Sequence, residues 1–234
     1  MSPIFLTGLL ALLAFISLAT WRTNQVLKEW EPTENLLLSP PENIARLGII
    51  AISIGLGLIS GESLQTLGWR PAHPLGDVML GGLVGVLIPL LLYYPSQWVE
   101  THHPEWYSEV VIKSIRPRTR QEWPWVILAL LPIAVMEELI FRSLLLGAFS
   151  PHVDIIYFVI GVSIFFGLLH LPQGEWGVIG VIFVSLIFSA LFLWRQSILV
   201  VIVAHWLMNI MQLVLDAITR EKEGEKGKEQ TSDN

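Results

Sequence analysis

Long apolar runs constrain the fold of this chain more than any other feature of its sequence. Of its 234 residues, 53% are hydrophobic and only 15% are charged, and the charged residues gather between the apolar runs. A bilayer imposes this pattern, because a helix needs about 20 mostly apolar residues to cross a hydrocarbon core ~30 Å thick. The runs are apolar throughout and do not alternate with polar positions, so they indicate helices and not strands. We therefore predict an all-α, polytopic transmembrane helical bundle.

Seven of these runs are candidate spans, so we expect about seven spans, within a range of six to eight. The runs cover residues 3–20, 45–60, 75–95, 124–149, 153–171, 177–194 and 197–218. They divide the chain into N-terminal membrane helices with an interfacial loop (1–123), a membrane core (124–218) and a charged tail (219–234). The tail has no apolar surface to bury and is predicted to be disordered.

The basic residues predict an orientation in the membrane. With the N-terminus outside, 11 of the 14 Lys and Arg residues fall on the inner side. These are Arg22, Lys28, Arg46, Lys113, Arg116, Arg118, Arg120, Arg220, Lys222, Lys226 and Lys228. Because basic loops are retained in the cytoplasm, the prediction is N-out and C-in, with a bacterial-type plasma membrane as the default location. The lipid bilayer is the expected partner, and there is no basic patch of the kind that nucleic acid requires.

Six polar residues lie inside the apolar runs or at their ends, where they are costly. A charged side chain at the centre of a bilayer costs about 2.5–3.5 kcal/mol on insertion scales, so such residues usually have partners and mark a function. They are Glu137, Glu138 and Arg142 in the fourth span, His170 at the end of the fifth, and His205 and Asn209 in the seventh.

Helical spacing predicts which of these residues meet. Glu138 and Arg142 are four residues apart, so they share a helix face and are expected to pair and to hold the frame of a site. Glu137 points about 100° away from Glu138 and has no partner in its own helix. The sequence therefore leaves one carboxylate free to interact with another helix.

The remaining residue types suit the hydrolysis of an amide bond. An unpaired Glu137 in an apolar setting is a candidate general base for water. His170 could hold the same water or carry its proton. His205 and Asn209, one helical turn apart, offer donors for a developing oxyanion. The combination predicts a membrane-embedded hydrolytic site of the protease type.

Three motifs in this region resemble those of the CPBP family, which contains the type II CAAX prenyl-endopeptidases and the bacterial Abi-type immunity proteases. The motifs are E-E-x-x-x-R from Glu137 to Arg142, F-x-x-x-H from Phe166 to His170, and H-x-x-x-N from His205 to Asn209. Their order and spacing are similar to the family pattern over roughly 120–217, about 40% of the chain. The resemblance implies an intramembrane endopeptidase that acts on a membrane-associated peptide or protein. It also implies that Glu137, His170, His205 and Asn209 are catalytic, with Glu138, Arg142 and Phe166 in support.

The sequence leaves the role of a metal open. Glu137, His170 and His205 would make a His₂Glu set for a divalent ion such as zinc. The same carboxylate could also activate water directly, and members of the family have been described as metalloproteases and as glutamate-type proteases. No organic cofactor is expected.

Three other interpretations compete with a protease. The six polar residues could have a purely structural role, forming hydrogen bonds and an ion pair between buried helices. Alternatively, the chain could be a non-catalytic scaffold or immunity protein. A proton-coupled transporter also uses Glu and His inside the membrane. The sequence has no repeated half of the kind that many transporters show, which favours the protease.

Overall fold

The computed structural model describes residues 1–29, 32 and 34–232, and leaves out the side chains of Lys28 and of residues 222–232. Within these residues the regular structure is helical, without strands. The α-helices are α1 (Pro3–Glu29), α2 (Pro40–Ile59), α3 (Pro74–His102), α4 (Val110–Ile115), α5 (Trp123–Glu138), α6 (Ile155–Leu168), α7 (Gly174–Arg195) and α8 (Ile198–Ser232). A π-helical segment, Leu139–Gly147, continues α5, and 3₁₀ turns lie at Leu36–Leu38, Pro104–Trp106 and Leu171–Gln173. The predicted all-α polytopic bundle is confirmed.

In the described part of the chain, six helices are long and apolar enough to cross a membrane. The remaining predicted run, the fifth (153–171), forms the 14-residue helix α6. At 1.5 Å per residue, α6 is about 21 Å long, which is shorter than the hydrocarbon core. Its start is set by Asp154, whose side chain accepts a hydrogen bond from the backbone of Ile156 at 3.1 Å. Pro172 lies four residues beyond its end and disfavours α-helical geometry in the residue that precedes it.

Successive long helices run in opposite directions, so their ends form two faces. The basic face carries loop 103–122 and the end of the apolar part of α8, which are joined by an Arg116–Asp216 ion pair at 2.8 Å. The opposite face carries loops 60–73 and 148–154 and the α7–α8 turn. There, Arg195 pairs with the buried Asp77 at 2.8 Å. The basic residues Lys113, Arg116, Arg118, Arg120 and Arg220 therefore share one end of the bundle.

Two glycines bring α3 against α8, where two residues of the third motif lie. A Cβ on Gly81 would meet the carbonyl oxygen of Val200, and one on Gly85 would meet that of Ala204 at 2.5 Å. This small-xxx-small spacing allows close approach of two helix backbones. Ala204 immediately precedes His205 in α8, so this close backbone contact also helps to position the His205 imidazole.

We expect Gly85→Ala to lower stability by about 1–3 kcal/mol, because the added methyl group overpacks this contact. Gly82→Ala is the matched control, since a Cβ there would meet only Leu207 at an ordinary 3.7 Å. The control is expected to be neutral or to stabilise the helix by up to about 1 kcal/mol. Thermal denaturation of both variants in detergent measures the difference, and equal midpoints would contradict the role given to Gly85.

The described backbone of the tail is helical, whereas the sequence predicts a disordered tail. The sequence predicts disorder from 219, whereas α8 continues as a helix to Ser232. Extending an existing helix needs no new nucleus, and the Glu, Lys and Gln residues of the tail are good helix formers. Asp233 and Asn234 lie outside the described residues.

Candidate functional site

The candidate site forms where α5 changes its helical geometry. Glu137 and Glu138 are the last two residues of α5, and the π-helical segment Leu139–Gly147 follows them directly. π-helical turns are rare and are frequently found at functional sites. His205 approaches the same place from α8.

Glu138 and Arg142 form the buried ion pair that the spacing predicts. Both side chains are fully buried, and Arg142 Nε lies 3.2 Å from Glu138 Oε2. Arg142 Nη1 donates a hydrogen bond of 3.4 Å to Glu138 Oε1. Each charge compensates the other, because an ion taken out of water needs a partner of opposite sign.

The rest of the Arg142 guanidinium is held by α7 and by two aromatic rings. Nη2 donates to the backbone carbonyl of Ser185 at 3.2 Å and to its hydroxyl at 3.0 Å. The guanidinium carbon lies 5.0 Å from the ring centre of Phe166 and 5.7 Å from that of Phe188. Cation–π contacts of this kind stabilise a desolvated cation. Phe166, predicted as a supporting residue, thus contacts Arg142.

Sequence reasoning did not identify the serines that complete this network. Ser185 donates to Ser163 at 3.1 Å, and Ser189 donates to the carbonyl of Ser185 at 2.7 Å. All three are buried polar residues of apolar helices. The four-residue spacing of Ser185 and Ser189 was the signal available in the sequence. Phe188 had no such signal, because it is one apolar residue among many.

His205 lies between the two glutamates. Its Nδ1 is 2.7 Å from Glu138 Oε1, and its Nε2 is 3.6 Å from Glu137 Oε2. The sequence predicts His205 as an oxyanion donor, whereas here both ring nitrogens face carboxylates. This unit of Glu137, His205 and Glu138, with Arg142 behind it, links α5 to α8.

The arrangement determines how protons are shared. A neutral imidazole has one N–H, and the proton belongs on Nδ1, where the short contact to an ionised Glu138 requires a donor. Nε2 then directs a lone pair towards Glu137. At 3.6 Å the Nε2–Oε2 contact is longer than a hydrogen bond, so a protonated His205 would interact with Glu137 as an ion pair.

Glu137 is the more accessible of the two carboxylates. Its side chain is 19% exposed, whereas that of Glu138 is fully buried. Glu137 Oε2 is itself buried and has no hydrogen-bond partner within the described residues. A group of this kind can take up a polar ligand without breaking an existing hydrogen bond.

His170 and Asn209 are not joined to this unit. His170 Nδ1 donates to the carbonyl of Phe166 at 2.8 Å, which leaves Nε2 as an acceptor when the ring is neutral. Its ring lies 4.7 Å from that of Phe166, which contacts Arg142. Asn209 is half-buried, one turn beyond His205 on α8. Neither residue forms a hydrogen bond or ion pair with Glu137 or Glu138 in the part of the chain that the structure describes.

The donors predicted for a metal do not form a metal-binding group. Glu137 and His205 face one another, but His205 is already engaged by Glu138, and His170 is bonded to a backbone carbonyl. Among the described residues, no group of three or more His, Cys, Asp or Glu side chains could hold a metal ion. The arrangement therefore does not fit a His₂Glu zinc site, which needs three converging protein ligands.

Tyr107, in the loop on the basic face, is the titratable group outside the spans that is most altered by its surroundings. Burial, together with the nearby Glu100, Glu109 and Asp216, raises the pKa of Tyr107 to about 12. The phenol is therefore neutral at physiological pH and does not serve as a proton acceptor there.

The comparison with known families covers the stretch of chain in which the candidate site lies. Residues 119–211 match the family described as type II CAAX prenyl endopeptidase Rce1-like. This stretch is about two fifths of the chain and contains all three motifs. No match was found among curated proteins or among solved structures. Over residues 119–211 the chain is thus similar to the Rce1-like type II CAAX prenyl endopeptidases, which confirms the predicted resemblance and indicates a membrane-embedded peptidase.

Proposed function

We propose that this protein is an intramembrane endopeptidase in which Glu137 activates water for attack on a peptide bond of a membrane-associated substrate. The observation that carries the proposal is the geometry of Glu137. Its carboxylate is partly accessible, has a buried oxygen without a hydrogen-bond partner, and faces His205 Nε2 at 3.6 Å. A general base must be within reach of the water whose proton it takes, and a carboxylate oxygen without a hydrogen-bond partner is free to accept that proton.

The reaction would follow the usual course of amide hydrolysis. Glu137 takes a proton from water, and the new oxygen–carbon bond forms at the scissile carbonyl, whose π electrons move to the oxygen. The resulting oxyanion collapses, the carbon–nitrogen bond breaks, and the leaving nitrogen receives the proton from Glu137. The fully buried Glu138–Arg142 pair keeps His205 in place throughout.

His170 and Asn209 would act from the edge of the site. His170 Nε2 is an acceptor in the neutral ring, so His170 would position water or take up a proton rather than donate to the oxyanion. The amide of Asn209 can donate, and we assign oxyanion stabilisation to it. His205 would join this task only when its Nε2 carries a proton.

The membrane placement is part of the same proposal. With the basic face in the cytoplasm, the orientation is N-out and C-in, in a bacterial-type plasma membrane. The substrate would enter from that face, near the 3₁₀ turn that follows His170. Residues 124–218 would be the catalytic core, and the helices before them would shape access.

The test is cleavage of a library of lipidated and unlipidated peptides by the purified protein in detergent, with products identified by mass spectrometry. We expect cleavage by the wild type and none by Glu137→Gln. Ion flux into proteoliposomes without any cleaved product would favour a transporter. Silence of both proteins on all peptides would favour a scaffold.

Chelator addition is a separate prediction. Because the carboxylate and imidazole donors do not converge as a three-ligand set, we expect activity to persist in excess chelator. Loss of activity that returns on adding zinc would contradict this expectation and would return Glu137, His170 and His205 to the role of metal ligands.

A further inference from the structure

Trp69, in the loop between α2 and α3, is hydrogen-bonded to the π-helical segment that follows α5. Its indole Nε1 donates to the hydroxyl of Ser143 at 2.7 Å. Ser143 is fully buried and directly follows Arg142 in the chain. A Cβ on Gly57 of α2 would lie 2.5 Å from the indole ring, so the ring fits there because that residue has no side chain. The indole therefore reaches the helical turn that carries Arg142.

The indole is carried by a compact turn, residues 63–69. The Ser63 hydroxyl accepts a hydrogen bond from the backbone of Thr66 at 3.0 Å, and the Ser63 carbonyl accepts one from the backbone of Leu67 at 3.0 Å. The Leu67 side chain is fully buried in the hydrophobic core of the bundle. Turn 63–69 is therefore anchored in the core, which fixes the place from which Trp69 donates.

The same turn contacts both helical segments that carry the candidate site. The backbone N–H of Ile198, the first residue of α8, donates to the carbonyl of Gly68 at 2.9 Å. A Cβ on Gly147, the last residue of the π-helical segment, would lie 2.8 Å from the carbonyl oxygen of Thr66. Turn 63–69 therefore joins the end of the π-helical segment to the start of α8.

The relative position of these two segments sets the geometry of the site. Glu138 and Arg142 lie at the junction of α5 with the π-helical segment, whereas His205 lies two turns into α8. The 2.7 Å contact between Glu138 and His205 joins the two sides. Because π-helical geometry is rare, we take it to depend on contacts from neighbouring elements, and the bond from Trp69 is one of these.

We infer that Trp69 is a positioning residue of the proposed peptidase: by its hydrogen bond to Ser143 it holds the π-helical turn in which Arg142 and Glu138 fix His205. The inference rests on the proposed function. It adds a residue outside residues 119–211, so the family match does not supply it. Trp69 acts through Ser143 and need not touch the substrate.

The test compares Trp69→Phe, Ser143→Ala and the double variant with the wild type, using the full chain in detergent and a peptide that the wild type cleaves. Either single change removes the hydrogen bond between the two side chains. We expect each to lower kcat about 3–10-fold with little change in KM, because the loss falls on the geometry of the chemical step. The double variant should lose about the same factor, since both changes delete one interaction.

The matched control is Trp176→Phe. Trp176 is half-buried, as Trp69 is, and its indole Nε1 donates to the hydroxyl of Ser96 at 3.0 Å on the basic face. The control therefore removes the same kind of hydrogen bond at a place without contact to the π-helical segment, and it should keep the wild-type kcat.

Amide hydrogen exchange tests the same bond without relying on cleavage. In Trp69→Phe and in Ser143→Ala, the amides of Leu139–Gly147 should exchange faster than in the wild type, because local opening of this segment becomes easier. The amides of loop 103–122, on the basic face, should exchange at the wild-type rate.

Several results would overturn the inference. They are an unchanged kcat in folded Trp69→Phe and Ser143→Ala proteins, rate losses that multiply in the double variant, and an equal loss in Trp176→Phe. If Trp69→Phe does not fold, Ser143→Ala decides, because it leaves the indole in place; wild-type kcat and exchange in that variant would overturn the inference. A wild type that cleaves nothing would instead overturn the proposed function, and unmoved exchange in Leu139–Gly147 would separately overturn the role given to Trp69.

Discussion

Glu137→Gln is expected to remove peptide cleavage while leaving the fold intact. The amide has nearly the shape of the carboxylate but cannot accept a proton from water at neutral pH. Loss of general-base catalysis costs about 10²–10⁴-fold in rate. The partial exposure of Glu137 and its lack of a hydrogen-bonded partner at Oε2 predict little change in stability. Steady-state cleavage and thermal denaturation in detergent measure the two quantities.

The matched control is Glu175→Gln, which makes the same chemical change at an exposed glutamate in the first turn of α7. It should cleave as the wild type does. Glu137→Asp is informative as well, because it keeps the base but withdraws it by one methylene, so a partial rate is expected. Full activity in a folded Glu137→Gln protein would remove this residue from the mechanism.

Arg142→Met should cause the largest loss of stability among single substitutions in the site. It leaves the fully buried carboxylate of Glu138 without its cation and removes the two hydrogen bonds that Arg142 donates to Ser185. Removing one partner of a buried ion pair costs about 3–5 kcal/mol. The loss should also reach catalysis, because Glu138 holds His205 Nδ1 at 2.7 Å.

The double variant Glu138→Gln with Arg142→Met gives the sharper test. Removing both charges avoids an uncompensated buried ion, so the double variant should be more stable than Arg142→Met alone. Arg220→Met is the surface comparison, since Arg220 is 41% exposed beside Asp216. That change should cost under about 1 kcal/mol. Denaturant titrations in micelles measure all three, and an Arg142→Met protein as stable as Arg220→Met would contradict the role assigned to the buried pair.

The sequence by itself determined the class of fold, since the physics is local. A run of about 20 apolar residues must satisfy its backbone hydrogen bonds internally in a bilayer, and a helix does so. The pairing of Glu138 with Arg142 follows equally from four-residue spacing in one helix. The sequence also identified Glu137 as the carboxylate without a partner in its own helix. The sequence overestimated the length of the helix within 153–171, because the Asp154 cap and Pro172 confine α6 to Ile155–Leu168.

The tertiary structure decided which residues meet across helices, because spacing along one helix carries no information about its neighbours. It placed His205 between two carboxylates, where the sequence suggested an oxyanion donor. It kept His170 on a backbone carbonyl, away from those carboxylates. Ser185 completes the Arg142 site because α7 packs against the π-helical segment. Such contacts depend on close helix packing, set at Gly81 and Gly85 by the absence of a side chain.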